Sequence, residues 1–182
     1  MLLPQSRIQT PLQKALVVAS IAFGALCFAI LVYAVEHSYR SPSPGPERDK
    51  QEDDIKEAVF RYQFVHNASG LQQKAGVYFL SLWGVGEDGK DPSDDFMGRF
   101  AGHTPPVKKF SHASFEDGLK DEETGARGLI FRVTVIKWIT GSRVEVSGGY
   151  YEGRLSSSGN TYYVERRDGK WVVVRDKMHW IS

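Results

Sequence analysis

Among the 22 acidic residues and 5 histidines, six are the candidates for a general base or acid: Asp94, Asp95, His103, His112, Asp176 and His179. The phenols of Tyr78, Tyr150 and Tyr163 are available beside them as donors. A working base must be partly dehydrated and within hydrogen-bond reach of the proton it takes. His103 and His112 lie on proline-rich or polar stretches and are expected at the surface. His179 stands between Met178 and Trp180 on a predicted strand, where it can face a cavity or solvent. Arg175 and Asp176 read as sheet-surface residues. No two of these groups stand at a spacing that demands catalysis.

Metal and phosphate chemistry are no better supported. His103, His112 and His179 would ligate a metal only if three distant segments converged, and nothing in their spacing requires it. Asp91, Asp94 and Asp95 invite a calcium reading, but the stretch lacks the glycine and distal glutamate of an EF-hand loop. Asp91-Pro92-Ser93-Asp94-Asp95 reads instead as the start of a short helix carrying Phe96, Met97 and Phe100. Gly84 to Lys90 is glycine-rich without the GxxxxGK[ST] spacing of a phosphate loop. The single cysteine, Cys27, lies in an apolar run. A disulfide framework, a CxxC pair, a cysteine zinc site and a thiol nucleophile are therefore excluded from the rest of the chain. No metal or other cofactor is expected.

Aromatic residues offer the other chemistry. Trp83, Trp138, Tyr150, Tyr163 and Trp180, with His179, are the expected lining of an apolar pocket for a small ligand or peptide. Trp171, Tyr151 and Tyr162 belong to the same aromatic population. The competing reading is ordinary core and cross-strand pairing, such as Arg166 against Trp171.

The elements that position these groups are read from patterning. The 182 residues are 41% hydrophobic and 25% charged with a net charge of +1, which suits one globular domain plus an appendage. No long basic stripe appears, so no nucleic-acid partner is expected. Residues 1–14 form a short tail, expected in the cytoplasm. Residues 15–35, ALVVASIAFGALCFAILVYAV, carry no charge. That is about the 20 apolar residues a helix needs to cross a bilayer, longer than a signal-peptide core, and predicts a retained anchor. The basic residues on the two sides do not decide orientation. The short tail favours a single-pass protein with its C-terminal domain extracytoplasmic, on the periplasmic or cell-surface side. Residues 36–52 read as a Pro/Ser-rich and charged linker, and 53–182 as the folded domain.

Within that domain Ile55, Ala58, Val59, Tyr62 and Val65 make an apolar stripe, widened by Phe60 and Phe64, that predicts a helix from Asp53 or Asp54 to about Asn67. Val77 to Trp83 predicts a strand apolar on both faces. Leu129–Trp138 and Arg143–Leu155 predict further strands, with Gly148-Gly149 interrupting the second, and Ser156–Asn160 reads as a loop. The clearest local signal is Asp168-Gly169, a two-residue type I′ hairpin turn. It predicts Arg167 opposite Lys170, Arg166 opposite Trp171, Val164 opposite Val173 and Tyr162 opposite Arg175. Tyr163, Val172 and Val174 make its second face apolar, so the sheet is expected to be covered on both sides for part of its length.

An amphipathic helix, a strand, a short helix and then long antiparallel strands ending in Gly169-Lys170-Trp171-Val172-Val173 resemble the cystatin-like/nuclear-transport-factor-2-like superfamily, also called SnoaL-like. The resemblance covers roughly Asp53 to Ser182 and is carried by Gly148-Gly149-Tyr150-Tyr151, Asn160-Thr161-Tyr162-Tyr163-Val164 and the hairpin. It implies an α+β cone, a curved antiparallel sheet wrapped on its N-terminal helix. In enzymes of that superfamily an Asp or His base sits at the mouth of the cone. Fold alone implies no function. A single span before such a domain also resembles the scaffold subunits of bacterial secretion and conjugation machines. The expectation is an extracytoplasmic binding or assembly module without catalytic activity, its partners the bilayer through residues 15–35 and a second copy or an envelope protein. The alternative is an isomerase- or dehydratase-type enzyme, or a ligand carrier, using the cone pocket.

Overall fold

The computed structural model describes residues 46–71, 74–83 and 89–182. The tail, the apolar run 15–35, the linker as far as residue 45 and residues 84–88 of the glycine-rich loop lie outside them. Among the described residues no helix is long and apolar enough to cross a membrane.

The domain is α+β. Helix α1 (Pro46–Val65) is followed by β1 (Val77–Ser81), the short helix α2 (Asp94–Gly98) and β2 (Val107–Lys109). A 3-10 turn over Phe110–His112 leads into a small hairpin of β3 (Ala113–Ser114) and β4 (Lys120–Asp121). Four long strands complete the chain: β5 (Gly128–Thr140), β6 (Arg143–Gly153), β7 (Ser156–Arg167) and β8 (Lys170–Ile181).

Helix α1 begins inside the stretch read as linker. Pro46 tolerates a first helical turn because its missing N–H would have no partner there, and Glu47 and Asp49 complement the positive end of the helix dipole. Arg48 bonds Glu52 at 3.2 Å and Gln51 bonds Glu47 at 3.2 Å, so the charged run tied to itself at i,i+4 is helical rather than a spacer. At the far end Asn67 Nδ2 donates to the Gln63 carbonyl at 2.7 Å, which satisfies one of the last open carbonyls. For α2, Ser93 is the N-cap and accepts from the Phe96 N–H, as the capping chemistry predicts.

The main sheet is mixed, in the order β2-β1-β5-β6-β7-β8. β5 to β8 run antiparallel to one another, but β1 is parallel to both β2 and β5, which corrects the expectation of a wholly antiparallel sheet. α1 packs on one face. There Phe60, Phe64, Phe96, Phe100, Tyr78 and Phe131 meet ring to ring at 5.0–6.3 Å, and Val144, Val146, Tyr162, Val164 and Trp171 continue the core across the strands. Among the described residues, cover on the opposite face is confined to β1, the start of β5 and Tyr151 of β6. Here the excursion between β2 and β5 lays Phe110, Leu119 and Ala126 on Val77, Phe79 and Ile130. Val172 and Val174, expected under a second cover, are 36% and 37% exposed. The excursion stops short of β7 and β8.

Three local corrections shape the polar surroundings of the sheet. Ser156–Asn160 is strand, not loop, because its small side chains and backbone pair inward: Ser157 and Ser182 exchange backbone bonds at 3.0 and 3.3 Å, and Ser158 is buried. The turn is Arg154-Leu155 instead. Gly148-Gly149 does not interrupt β6. A Cβ at Gly148 would stand 2.3 Å from the Arg132 carbonyl, and one at Gly149 2.1 Å from the Ser158 carbonyl, so the pair permits close approach of the neighbouring strands. Finally, the hairpin turn forms as predicted, with Asp168 and Gly169 both at positive φ (50° and 77°), and its first three predicted pairs hold. Val174 is then an extra residue in β8. Tyr163 pairs with Arg175 and Tyr162 with Asp176, where a regular ladder would have set Arg175 against Tyr162. A second irregularity at His179 sets Trp180 opposite Gly159. Because side chains alternate in a strand, each extra residue exchanges the faces of every later one.

Candidate functional site

On the helix face, the first irregularity turns Asp176 inward from the surface where it was expected. Tyr62 Oη donates to its Oδ1 at 3.0 Å and Asn160 Nδ2 to its Oδ2 at 3.3 Å, while Ser158 Oγ donates to Asn160 Oδ1 at 2.7 Å. Beside them the wholly buried Gln63 uses Nε2 twice, to the Arg132 carbonyl (3.0 Å) and to Tyr162 Oη (3.1 Å). Gln63 Oε1 is buried without a hydrogen-bond partner. Tyr62, His66, Asn160, Tyr162, Asp176 and Met178 line a recess of about 270 Å³ at this edge, with His66 stacked on Tyr62 at 4.2 Å. Burial, aided by the bond to Asp176, pushes the Tyr62 phenol above its ordinary pKa. Burial drives Tyr162 further up. Both phenols are therefore neutral at physiological pH; Tyr62 spends its proton on Asp176, and Tyr162 Oη accepts from Gln63. A reaction that used Asp176 as a base would first have to break that bond.

The remaining candidates are scattered. Asp94 is exposed and bonds Lys109 at 2.6 Å, and that ammonium holds its carboxyl below the usual range. Asp95 is exposed. His103 is half-buried rather than at the surface, its ring 4.8 Å from Phe64 and its Nδ1 2.8 Å from the Pro105 carbonyl. His112 is exposed. His179 is exposed and meets Thr161 Oγ1 at 2.9 Å. Among the described residues no group of three His, Cys, Asp or Glu side chains stands close enough to hold a metal ion.

Of the six residues expected to line one pocket, the five on strands are divided between the two faces of the sheet. Trp138 and buried Tyr150 belong to the helix-face core, Trp138 edge-on to Trp171 at 5.5 Å. Tyr163 and Trp180 lie on the opposite face, with Arg175 stacked 3.9 Å above Tyr163 and Arg132 5.5 Å above Trp180. Trp83 follows the end of β1, 47% exposed. Alternation along β6 and β7, with the extra residues in β8, sends Trp138 and Tyr150 to one face and Tyr163 and Trp180 to the other. The polar residues that do converge, Tyr62, Gln63, Asn160 and Tyr162, were legible only as Gln63 inside an apolar helical stripe.

The uncovered part of the opposite face is chemically distinctive. One row across four strands reads Lys137, Glu145, Tyr163, Arg175, with Lys137 Nζ 3.6 Å from Glu145 Oε2. A recess of about 280 Å³ lies along it, walled by Ile139, Arg143, Glu145, Tyr163, Val174 and Arg175. Aromatic rings under guanidinium groups, with aliphatic side chains between, suit a protein surface better than a small reactive substrate.

No family model, curated protein or solved structure matches the chain.

Proposed function

We propose that this chain is a membrane-anchored binding or assembly module without catalytic activity, working through the uncovered sheet face of β6 to β8. Residues 15–35 hold it in the bilayer and the folded domain lies outside the cytoplasm, a reading that rests on the uncharged apolar run. The order of helix, strand, short helix and long antiparallel strands supports placing the domain among the nuclear-transport-factor-2-like cones. The observation that carries the functional reading is the contrast between the two faces. The helix face is filled by six interlocking aromatic rings, whereas the other face leaves Val172, Val174, Ile139 and Trp180 between 36% and 48% exposed.

Photo-crosslinking in the native membrane tests it, with a photoreactive residue placed at Val172 or at Met178. The expected result is protein adducts from position 172 and none from 178. Adducts from 178 alone would overturn the reading.

A second reading, a small-ligand carrier or enzyme, is favoured only by the recess in which Asp176 meets Tyr62 and Asn160. Saturable binding of a small metabolite that Asp176→Asn abolishes, with the fold intact, would favour it.

A further inference from the structure

Asp176 is a carboxylate without a counter-charge. It is half-buried, and the two donors that reach it, Tyr62 Oη at 3.0 Å and Asn160 Nδ2 at 3.3 Å, are both neutral. Among the described residues no lysine, arginine or histidine pairs with it. The buried Asp121, by contrast, has Lys108 at 2.8 Å. A carboxylate offers about four lone-pair sites, of which Tyr62 and Asn160 take one each. The rest are open beside the recess of about 270 Å³ between the end of α1 and strands β7 and β8. No lysine or arginine lines that recess. Tyr62, Tyr162 and Met178 give it apolar surface, and Gln63, bonded to Tyr162 Oη, adds a buried acceptor, Oε1, that has no donor. None of the six rings packed beneath α1 over β1 and β5 belongs to its wall.

A half-buried anion beside a largely apolar recess is stabilised by a cation that brings its own hydrogen-bond donors. An anionic ligand would meet Asp176 with like charge, and a neutral one would leave that charge unpaired. A primary ammonium answers each feature of the site. Its three N–H donors reach the open lone pairs, its charge offsets Asp176, and its alkyl chain lies against Met178 and the tyrosine rings. We infer that this recess binds a small primary alkylammonium, held by Asp176 at the edge of the sheet. The inference rests on the second reading, of the recess as a ligand site, and names its ligand class. Occupancy there is independent of the uncovered face, on the other side of the sheet.

The test uses the full chain in a nonionic detergent with methyl-labelled methionine, titrated with n-butylammonium chloride against sodium chloride at equal ionic strength. The Met178 methyl resonance reports the recess, and that of Met97, packed on the core at α2, is the control. The expected result is a saturable shift of Met178 with n-butylammonium alone, while Met97 stays still. Asp176→Asn should weaken binding about tenfold or more, as for loss of a charged hydrogen-bond partner. Tyr62→Phe frees one more lone pair on Asp176 and should bind at least as tightly, which separates a ligand contact from a purely structural role. Tetramethylammonium, which has no N–H, should bind more weakly. No saturable shift, Asp176→Asn binding as tightly as wild type, or tetramethylammonium equal to n-butylammonium would overturn the inference. Protein adducts from position 178 that n-butylammonium displaces would assign the ammonium to a partner's lysine and overturn the free amine. If butanoate or butan-1-ol binds and n-butylammonium does not, the ligand class falls and the second reading stands. If no probe binds, both fall.

Discussion

Tyr62 Oη donates to Asp176 Oδ1 at 3.0 Å across 114 residues of sequence, and it does so because β8 carries one residue more than its partner strand. Without the extra Val174, Arg175 would face the helix and Asp176 the solvent. The irregularity thus gives α1 a polar anchor on the last strand of the sheet and places Arg175 on Tyr163 at the other face. One inserted residue sorts a carboxylate and a guanidinium onto opposite sides.

That bond is expected to contribute about 1 kcal/mol, with somewhat more lost when Tyr62→Phe leaves a half-buried carboxylate short of a donor. Chemical denaturation of Tyr62→Phe, Asp176→Asn and the double variant checks it. The double variant should lose less than the sum of the two single ones, because both remove the same interaction.

Gly148 and Gly141 make a matched pair. A Cβ at Gly148 meets the Arg132 carbonyl and Gln63 Nε2, whereas nothing lies within 4 Å of one at Gly141. Gly148→Ala is expected to destabilise by about 3 kcal/mol, since a backbone atom of the adjacent strand must move. Gly141→Ala should stay within about 0.5 kcal/mol. Equal melting temperatures for the two variants would contradict the close approach of β5 and β6.

Stability should decline at both ends of the pH scale for different reasons. Asp121 is buried, which opposes ionisation, but the bonds from Lys108 and Thr124 outweigh burial and hold its carboxyl below the ordinary value. Its contribution is complete above the unfolded pKa of about 4 and is lost as pH falls through the lower folded value. Tyr162 is raised by burial. Its contribution is complete below the unfolded value of about 10 and is lost as pH rises through the higher folded value. Melting curves across pH should show Asp121→Asn flattening the acid limb and Tyr162→Phe the alkaline limb.

Gly159 gives Trp180 its seat, since a Cβ there would lie 2.2 Å from the indole nitrogen. Gly159→Ala is expected to swing Trp180 away from Arg132 at a cost below about 1 kcal/mol, because the obstacle is a movable side chain. A shift in tryptophan emission with little change in melting temperature would report it.

Much of this fold is legible in short-range signals. The stripe from Ile55 to Val65, the Asp168-Gly169 turn and Ser93 ahead of α2 each act within a few residues. The features that stay hidden depend on distant partners. The helical start at Pro46 draws on i,i+4 pairs within a run that reads as solvated spacer. The parallel placement of β1 is decided by which strand edge is free, and the extra residues of β8 by contacts with β7 that no local pattern encodes. For that reason the sequence pattern puts Asp176 on the solvent face, whereas the structure turns it toward α1. Gln63 is the available clue, an amide set among Val59, Phe60 and Phe64 where the stripe calls for an apolar side chain.

The most direct test of the uncovered-face account compares Met178 with Trp180, two residues apart and 43% and 48% exposed on opposite faces. Hydroxyl-radical footprinting would follow oxidation of both in native membranes and in dilute, high-salt detergent solution. The account predicts that Trp180 is protected in the membrane and becomes reactive on dilution, while Met178 reacts alike in both. Protection of Met178 with Trp180 unchanged would contradict it and move the working surface to the Asp176 recess.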